Sequence, residues 1–164
     1  MAVVFLLGPG MWAEGAASSE PAPIAVRRQL AGILQETGHS VLLMEEEPDL
    51  DDEDMVQKFE RLLRRDVTDV LLYWPPLAKM QTTYDELLLL YDRRELLKQL
   101  GITIWALHHV AVAVISEGEF RILETGNRSR YLAAVARLGI RPLVWETDDD
   151  LEETVRLLAA ELDA

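Results

Sequence analysis

Two adjacent carboxylates, Asp85 and Glu86, open a helical segment that follows shortly after the run Tyr73-Trp74-Pro75-Pro76, where an apolar strand breaks off. Ligands of open α/β sheets sit in the crevice beyond such strand ends, so acids there are candidates for proton transfer or nucleophilic attack. Neighbouring residues on a helix point about 100° apart, so the two cannot both serve one reacting atom. Asp69 and Asp92 are the alternatives for a second acid. Tyr73, Trp74 and Tyr84 are flat groups with polar handles, suited to stacking on a base or a nicotinamide ring, although Tyr73 reads first as core. His108-His109 follows the next strand and offers general acid-base chemistry, but without further ligands it makes no metal site. The plain alternative for Asp85 and Glu86 is that they only complement the positive end of the helix dipole.

Short β-rich runs alternate with longer helical periodicities, the pattern of a parallel sheet covered by helices. Strands are predicted at Val3 to Leu7, Ser40 to Met44, Val67 to Trp74, Ile102 to Leu107 and Arg141 to Trp145. The first ends in Gly8-Pro9-Gly10, and a long loop of small and polar residues follows through Pro23. One helix carries Ile24, Leu30, Ile33 and Leu34 on its inner face and stops at Gly38; a second carries Met55, Val56, Phe59, Leu62 and Leu63 behind capping aspartates. A third spans Thr82 to Leu100, a fourth has Asn127 as its cap, and a fifth opens with Asp150 as cap and Glu153 three residues on. Val110 to Ile115 and Phe120 to Leu123, around Ser116-Glu117-Gly118-Glu119, are expected to form a β-hairpin after the fourth strand, with a valine-rich helix as the alternative. Five β-α units with right-handed crossovers give a single α/β domain over 1–164: a flavodoxin-like three-layer α/β/α sandwich, mainly parallel, of order 2-1-3-4-5. In that order Gly8-Pro9-Gly10 and Trp74-Pro75-Pro76 flank one crevice.

The chain has 164 residues, enough for one substantial core. Its net charge of -13 argues against a DNA or RNA polymer and against a polybasic membrane dock. Much of that charge is local, in Glu45, Glu46, Glu47, Asp49, Asp51, Asp52, Glu53 and Asp54. That segment reads as a solvated loop whose last acids cap a helix, since it lacks the glycine and ligand rhythm of a calcium loop. With no cysteine, thiolate chemistry and disulfides are excluded. No apolar run reaches the roughly 18 residues of a membrane span, and a soluble, cytoplasmic protein is expected.

Gly8, Gly10 and Ala13 match the letters of a dinucleotide fingerprint but not its setting, because no helix starts at that turn. Receiver-type paired acids and a Walker lysine are missing. What remains is Phe5-Leu6-Leu7-Gly8-Pro9, the strand Thr68-Asp69-Val70-Leu71-Leu72, and Thr82-Thr83-Tyr84-Asp85-Glu86. In these residues the chain resembles the nucleoside 2-deoxyribosyltransferase-like superfamily, whose first strand ends in Gly-Pro and whose Gly-Thr-x-x-Glu motif supplies a glutamate nucleophile. Thr83 and Glu86 match that threonine and glutamate. Thr82 stands in place of the motif glycine, Met80 in place of the usual aspartate, and Leu88 and Leu90 in place of the glycine and alanine that follow.

The resemblance implies a protein that binds, or cleaves at the N-glycosidic bond, a nucleoside or nucleotide, without metal or cofactor. Glu86 would be the nucleophile and Asp69 its catalytic helper, with Gly8, Pro9, Gly10, Trp74, Thr83, Tyr84 and Asp92 shaping the pocket. A TIR-type NAD glycohydrolase is the enzymatic alternative, lacking here its usual Trp-Cys, and a non-catalytic nucleotide-sensing or structural module is the other. Leu87 to Leu90 exceeds what one helix face can bury against a sheet; a dimer interface or a neighbouring helix would use the excess, and a homodimer is expected.

Overall fold

A computed structural model describes residues 1–8, 23–63, 67–74, 112–118, 120–121 and 141–162. In chain order these form β1 (Val3–Leu7), α1 (Pro23–Glu36), β2 (Ser40–Leu42), α2 (Met55–Leu63), β3 (Asp69–Trp74), β4 (Val112–Ser116), β5 (Arg141–Trp145) and α3 (Asp148–Leu162). The five strands make one sheet of order β2-β1-β3-β4-β5, and each neighbouring pair is parallel. This is the doubly wound α/β arrangement expected from the strand and helix alternation.

The continuous apolar runs are strands covered on both sides. Val4, Phe5, Leu6 and Leu7 are all buried, as are Val70, Leu71, Leu72 and Tyr73. Successive side chains alternate between faces, which assigns each residue to a layer. Val4, Leu6, Leu71, Tyr73, Val114 and Trp145 join one core with Leu30, Leu34, Leu151, Val155 and Leu158 of α1 and α3. On the opposite face Phe5 meets Phe59 of α2, ring centroids 5.6 Å apart. Truncating such a core leucine or phenylalanine to alanine costs about 2–5 kcal/mol, because lost transfer energy and an unfilled cavity add.

Three helix boundaries show their chemical cause. Gly38, at a φ of 90°, ends α1. Its N–H donates to the Gln35 carbonyl at 3.0 Å, and the His39 N–H donates to the Leu34 carbonyl at 3.1 Å. That pair of bonds is a Schellman closure. Asp54 caps α2 in a reciprocal box, its carboxylate accepting from the Gln57 N–H at 2.8 Å while Gln57 Oε1 accepts from the Asp54 N–H at 3.0 Å. The start of α3 is earlier than expected. Thr147, not Asp150, is the cap, and Asp150 returns the bond: its carboxylate accepts from the Thr147 N–H at 3.1 Å, and Thr147 Oγ1 accepts from the Asp150 N–H at 3.2 Å. Three acids, Asp148, Asp149 and Asp150, then occupy the first turn, where the dipole favours them.

The hairpin expected around Ser116-Glu117-Gly118-Glu119 is not formed. Val112–Ser116 is instead the fourth strand of the parallel sheet, hydrogen-bonded between β3 and β5. Val114 and Ile115 are both fully buried although they face opposite ways, which requires cover on both sides of the sheet, as a central parallel strand has. Residues 117–118 and 120–121 are helical, and Glu117 pairs with Arg121 one turn on, so Phe120 and Arg121 are not a returning strand. Residues 102–107, expected as the fourth strand, lie outside the described residues, as do the helices expected at 82–100 and beyond Asn127. Among the described residues no helix is long and apolar enough to cross a membrane.

Candidate functional site

All five strands run the same way, so the sheet has one edge of strand starts and one of strand ends. The order reverses between β1 and β3. The crevice this opens lies beyond their C-terminal ends. Gly8 is the first residue past β1 there, with a φ of 152° that side chains rarely adopt. A Cβ on Gly8 would lie 2.9 Å from the Tyr73 carbonyl oxygen and 2.9 Å from Arg27 Cδ. Glycine at this position therefore lets β1, β3 and the Arg27 side chain converge without a gap.

Arg27 is the main surprise. It projects from the first half of α1 and is 1% exposed, the largest fully buried side chain among the described residues. Its Nη1 donates to the Leu6 carbonyl at 3.3 Å, and its Nη2 donates to the Glu45 carboxylate just past β2. Its buried Nε–H has no acceptor. Sequence reasoning missed this residue, yet a signal existed: Arg27 lies three and seven residues before the buried Leu30 and Leu34, on the same stripe of α1. A charge on a helix's inward stripe needs a partner, and Glu45 is that partner.

The row continues across the strand ends. Tyr73 is buried and stacks near Trp145, centroids 6.4 Å apart with planes 20° from parallel. The Trp145 indole N–H is buried and also lacks an acceptor. Ser116, ending β4 beside Trp145, is buried too. Among the described residues both orphan polar atoms at this edge are thus donors.

Of the residues expected to build the site, Gly8 and the backbone of Trp74 reach this edge. Asp69 does not. It pairs with Val4 at the beginning of β3, five residues before Trp74 and so roughly 16 Å away along the strand. The first residue of a parallel strand sits at the far edge from the crevice, and Glu86, which Asp69 was expected to help, lies outside the described residues. There Asp69 is 2% exposed and its Oδ2 accepts from the Thr68 hydroxyl at 2.6 Å, while Oδ1 has no partner. Pro9, Gly10, Thr83, Tyr84, Glu86 and Asp92 lie outside the described residues, as do Asp85 and His108-His109.

The acidic segment is more tied down than a solvated loop. Besides Glu45 with Arg27, Glu46 pairs with Arg28 at 2.8 Å, Asp49 with Lys58 at 2.7 Å and Glu53 with Arg61 at 2.6 Å. It therefore links α1 and α2 from opposite faces of the sheet. Glu53 is held below the usual carboxylate range, first by the Arg61 guanidinium hydrogen bond, against the opposing effect of burial, with help from the Leu50 N–H. Among the described residues no cluster of three acids or histidines could hold a metal ion. Compared with known protein families and with curated proteins, the chain matches none.

Proposed function

We propose that the protein binds a nucleoside or nucleotide in the crevice beyond β1 and β3 and acts on its N-glycosidic bond. The observation that carries this reading is the junction at Gly8. A strand ending in Gly-Pro is part of the motif set shared with the nucleoside 2-deoxyribosyltransferase-like superfamily, and here its glycine packs against the end of β3 at the reversal of strand order. A base or sugar placed there is within the region that the following segment, with Thr83 and Glu86, is expected to complete.

The chemistry follows from the glutamate. The Glu86 carboxylate attacks the anomeric carbon while the bond to the base breaks through an oxocarbenium-like transition state. The bonding pair leaves with the base, which takes a proton from an acid; with Asp69 at the far edge, Asp92 is the better candidate. A second base or water then displaces Glu86 from the glycosyl-enzyme. Leu87 to Leu90 supports a homodimer, which sedimentation of the purified protein tests.

Incubation with 2′-deoxynucleosides and a free base, and separately with NAD, tests the reaction by chromatography of the products. Base exchange that is lost in Glu86→Ala supports the proposal. Nicotinamide release alone would favour the NAD glycohydrolase reading, and turnover unchanged in Glu86→Ala would remove Glu86 as nucleophile. Binding without turnover would leave a nucleotide-sensing module.

A further inference from the structure

We infer that residues 45–53, in the connection from β2 to α2, form a strap that opens as a unit while the sheet stays folded, and that its latch reaches the end of β1; that a ligand feels this opening rests on the function proposed above. None of these nine residues is buried, and the two apolar ones, Pro48 and Leu50, are exposed. No side chain of the strap is therefore fastened into the core. Among the described residues its backbone hydrogen bonds are local: the Glu46 and Glu47 N–H groups donate to the Leu43 carbonyl, and the Glu53 N–H donates to the Leu50 carbonyl. Cations make the ties to the helices instead. Arg27 and Arg28 of α1 pair with Glu45 and Glu46. From α2, Lys58 donates to the Glu47 carbonyl and to Asp49, and Arg61 donates to the Pro48 carbonyl and to Glu53.

A segment with little buried apolar surface and only local backbone bonds opens at lower free energy than the strands beside it. Seven of the nine residues, Glu45, Glu46, Glu47, Asp49, Asp51, Asp52 and Glu53, are acids. They repel one another, so losing one cation weakens the hold on the rest and the strap opens together rather than residue by residue. The latch has a fixed side and a free side. Arg27 and Lys58 are buried on their helices, whereas the side chains of Glu45 and Asp49 are 38% and 80% exposed. Opening carries the carboxylates into water and leaves the cations in place. Because Arg27 is then buried without its counter-charge, the closed state is favoured at rest. Arg27 also donates to the Leu6 carbonyl, two residues before Gly8, so release of Glu45 is felt where the proposed crevice begins. Ion pairs that reach solvent contribute little and are screened by salt, which makes ionic strength the lever on this latch.

Amide hydrogen exchange of the full chain, read residue by residue by NMR, tests the strap. The amides of Glu46, Glu47 and Glu53 should exchange faster than those of β1 and β3. Raising salt from about 0.1 M to about 1 M, which shortens the screening length from about 10 Å to about 3 Å, should accelerate all three and leave β1 and β3 unchanged. Asp49→Asn, a substitution at an exposed side chain, should quicken the same three amides at least about twofold, the scale of one ion pair, although none of their own bonds involves Asp49. Acceleration confined to the neighbours of residue 49, or exchange of all three amides at the rate of the core strands, overturns the strap. A saturating 2′-deoxynucleoside should slow exchange across the strap, and one that binds without slowing it overturns the link to the crevice. If no deoxynucleoside binds, the function proposed above falls, and the salt and Asp49→Asn results decide the strap by themselves.

Discussion

The two edges of the sheet treat buried polar groups in opposite ways. At the edge of strand starts, His39 is buried with both ring nitrogens engaged: Nδ1 accepts from the Ala2 N–H at 3.1 Å, and Nε2 lies 2.9 Å from the Ala159 carbonyl, to which it donates. Thr68 extends the pairing of β3 with β1, its N–H donating to the Val3 carbonyl and its Oγ1 accepting from the Val3 N–H, each at 2.9 Å. Among the described residues the leftover side-chain atom there is an acceptor, Asp69 Oδ1. At the edge of strand ends the leftovers are the donors of Arg27 and Trp145. Buried polar groups are normally satisfied, and exceptions call for an explanation. The first edge closes the fold with internal bonds; among the described residues the second leaves two buried donors without an acceptor.

Substitutions at each edge should therefore differ in kind. The largest loss is expected from Gly8→Val, which demands an unfavourable φ and drives a branched side chain into Tyr73 and Arg27. It should cost about 3 kcal/mol or more by urea denaturation, from strain and overpacking together. A stability close to wild type would mean that the junction at Gly8 is not rigid. Next comes His39→Phe, which strands the Ala2 N–H and the Ala159 carbonyl in the core and should cost about 2–4 kcal/mol. On the proposed function ligand affinity should be unchanged in His39→Phe, because the proposed crevice lies at the opposite edge; weakened binding in folded protein would blur the contrast between edges.

Smaller effects check the frame that holds the edges apart. Thr147→Ala removes the cap of α3 and should cost about 1 kcal/mol, readable as a lowered denaturation midpoint. The Glu53–Arg61 pair gives a pH signature instead. Glu53 is held below its ordinary range when folded, so as pH falls the unfolded chain takes up the proton first. Its contribution is full above the ordinary carboxylate range and is lost as pH drops through the depressed folded value. Glu53→Gln should flatten that part of the acid limb slightly, and an unaltered pH profile would show the pair to be inert.

The layers were legible because burial writes itself into sequence. The all-apolar run of β1 and the spacing of Leu30 and Leu34 marked a buried strand and a helix face, and serial β-α units with right-handed crossovers led to the strand order. The hairpin failed because Ser116-Glu117-Gly118-Glu119 has turn composition, and composition alone does not distinguish a reversing turn from the first turn of a helix. Helix caps shifted for a similar reason: Thr147 and Asp150 both suit the cap position, and only the reciprocal bonds decide between them. The crevice was legible from topology through Gly8. Asp69 lies at the opposite edge because it begins β3 rather than ending it, and Arg27 was missed because its partner Glu45 is distant in sequence and looks like one acid among many.

The most direct test of the difference between the edges is amide and indole NMR of the labelled protein titrated with a deoxynucleoside 5′-monophosphate. Shift changes should gather at Gly8, Arg27, Tyr73 and the Trp145 indole N–H, with Ala2, His39 and Asp69 still. No shifts, or shifts gathered around Ala2, His39 and Asp69, would contradict a ligand site at the strand ends.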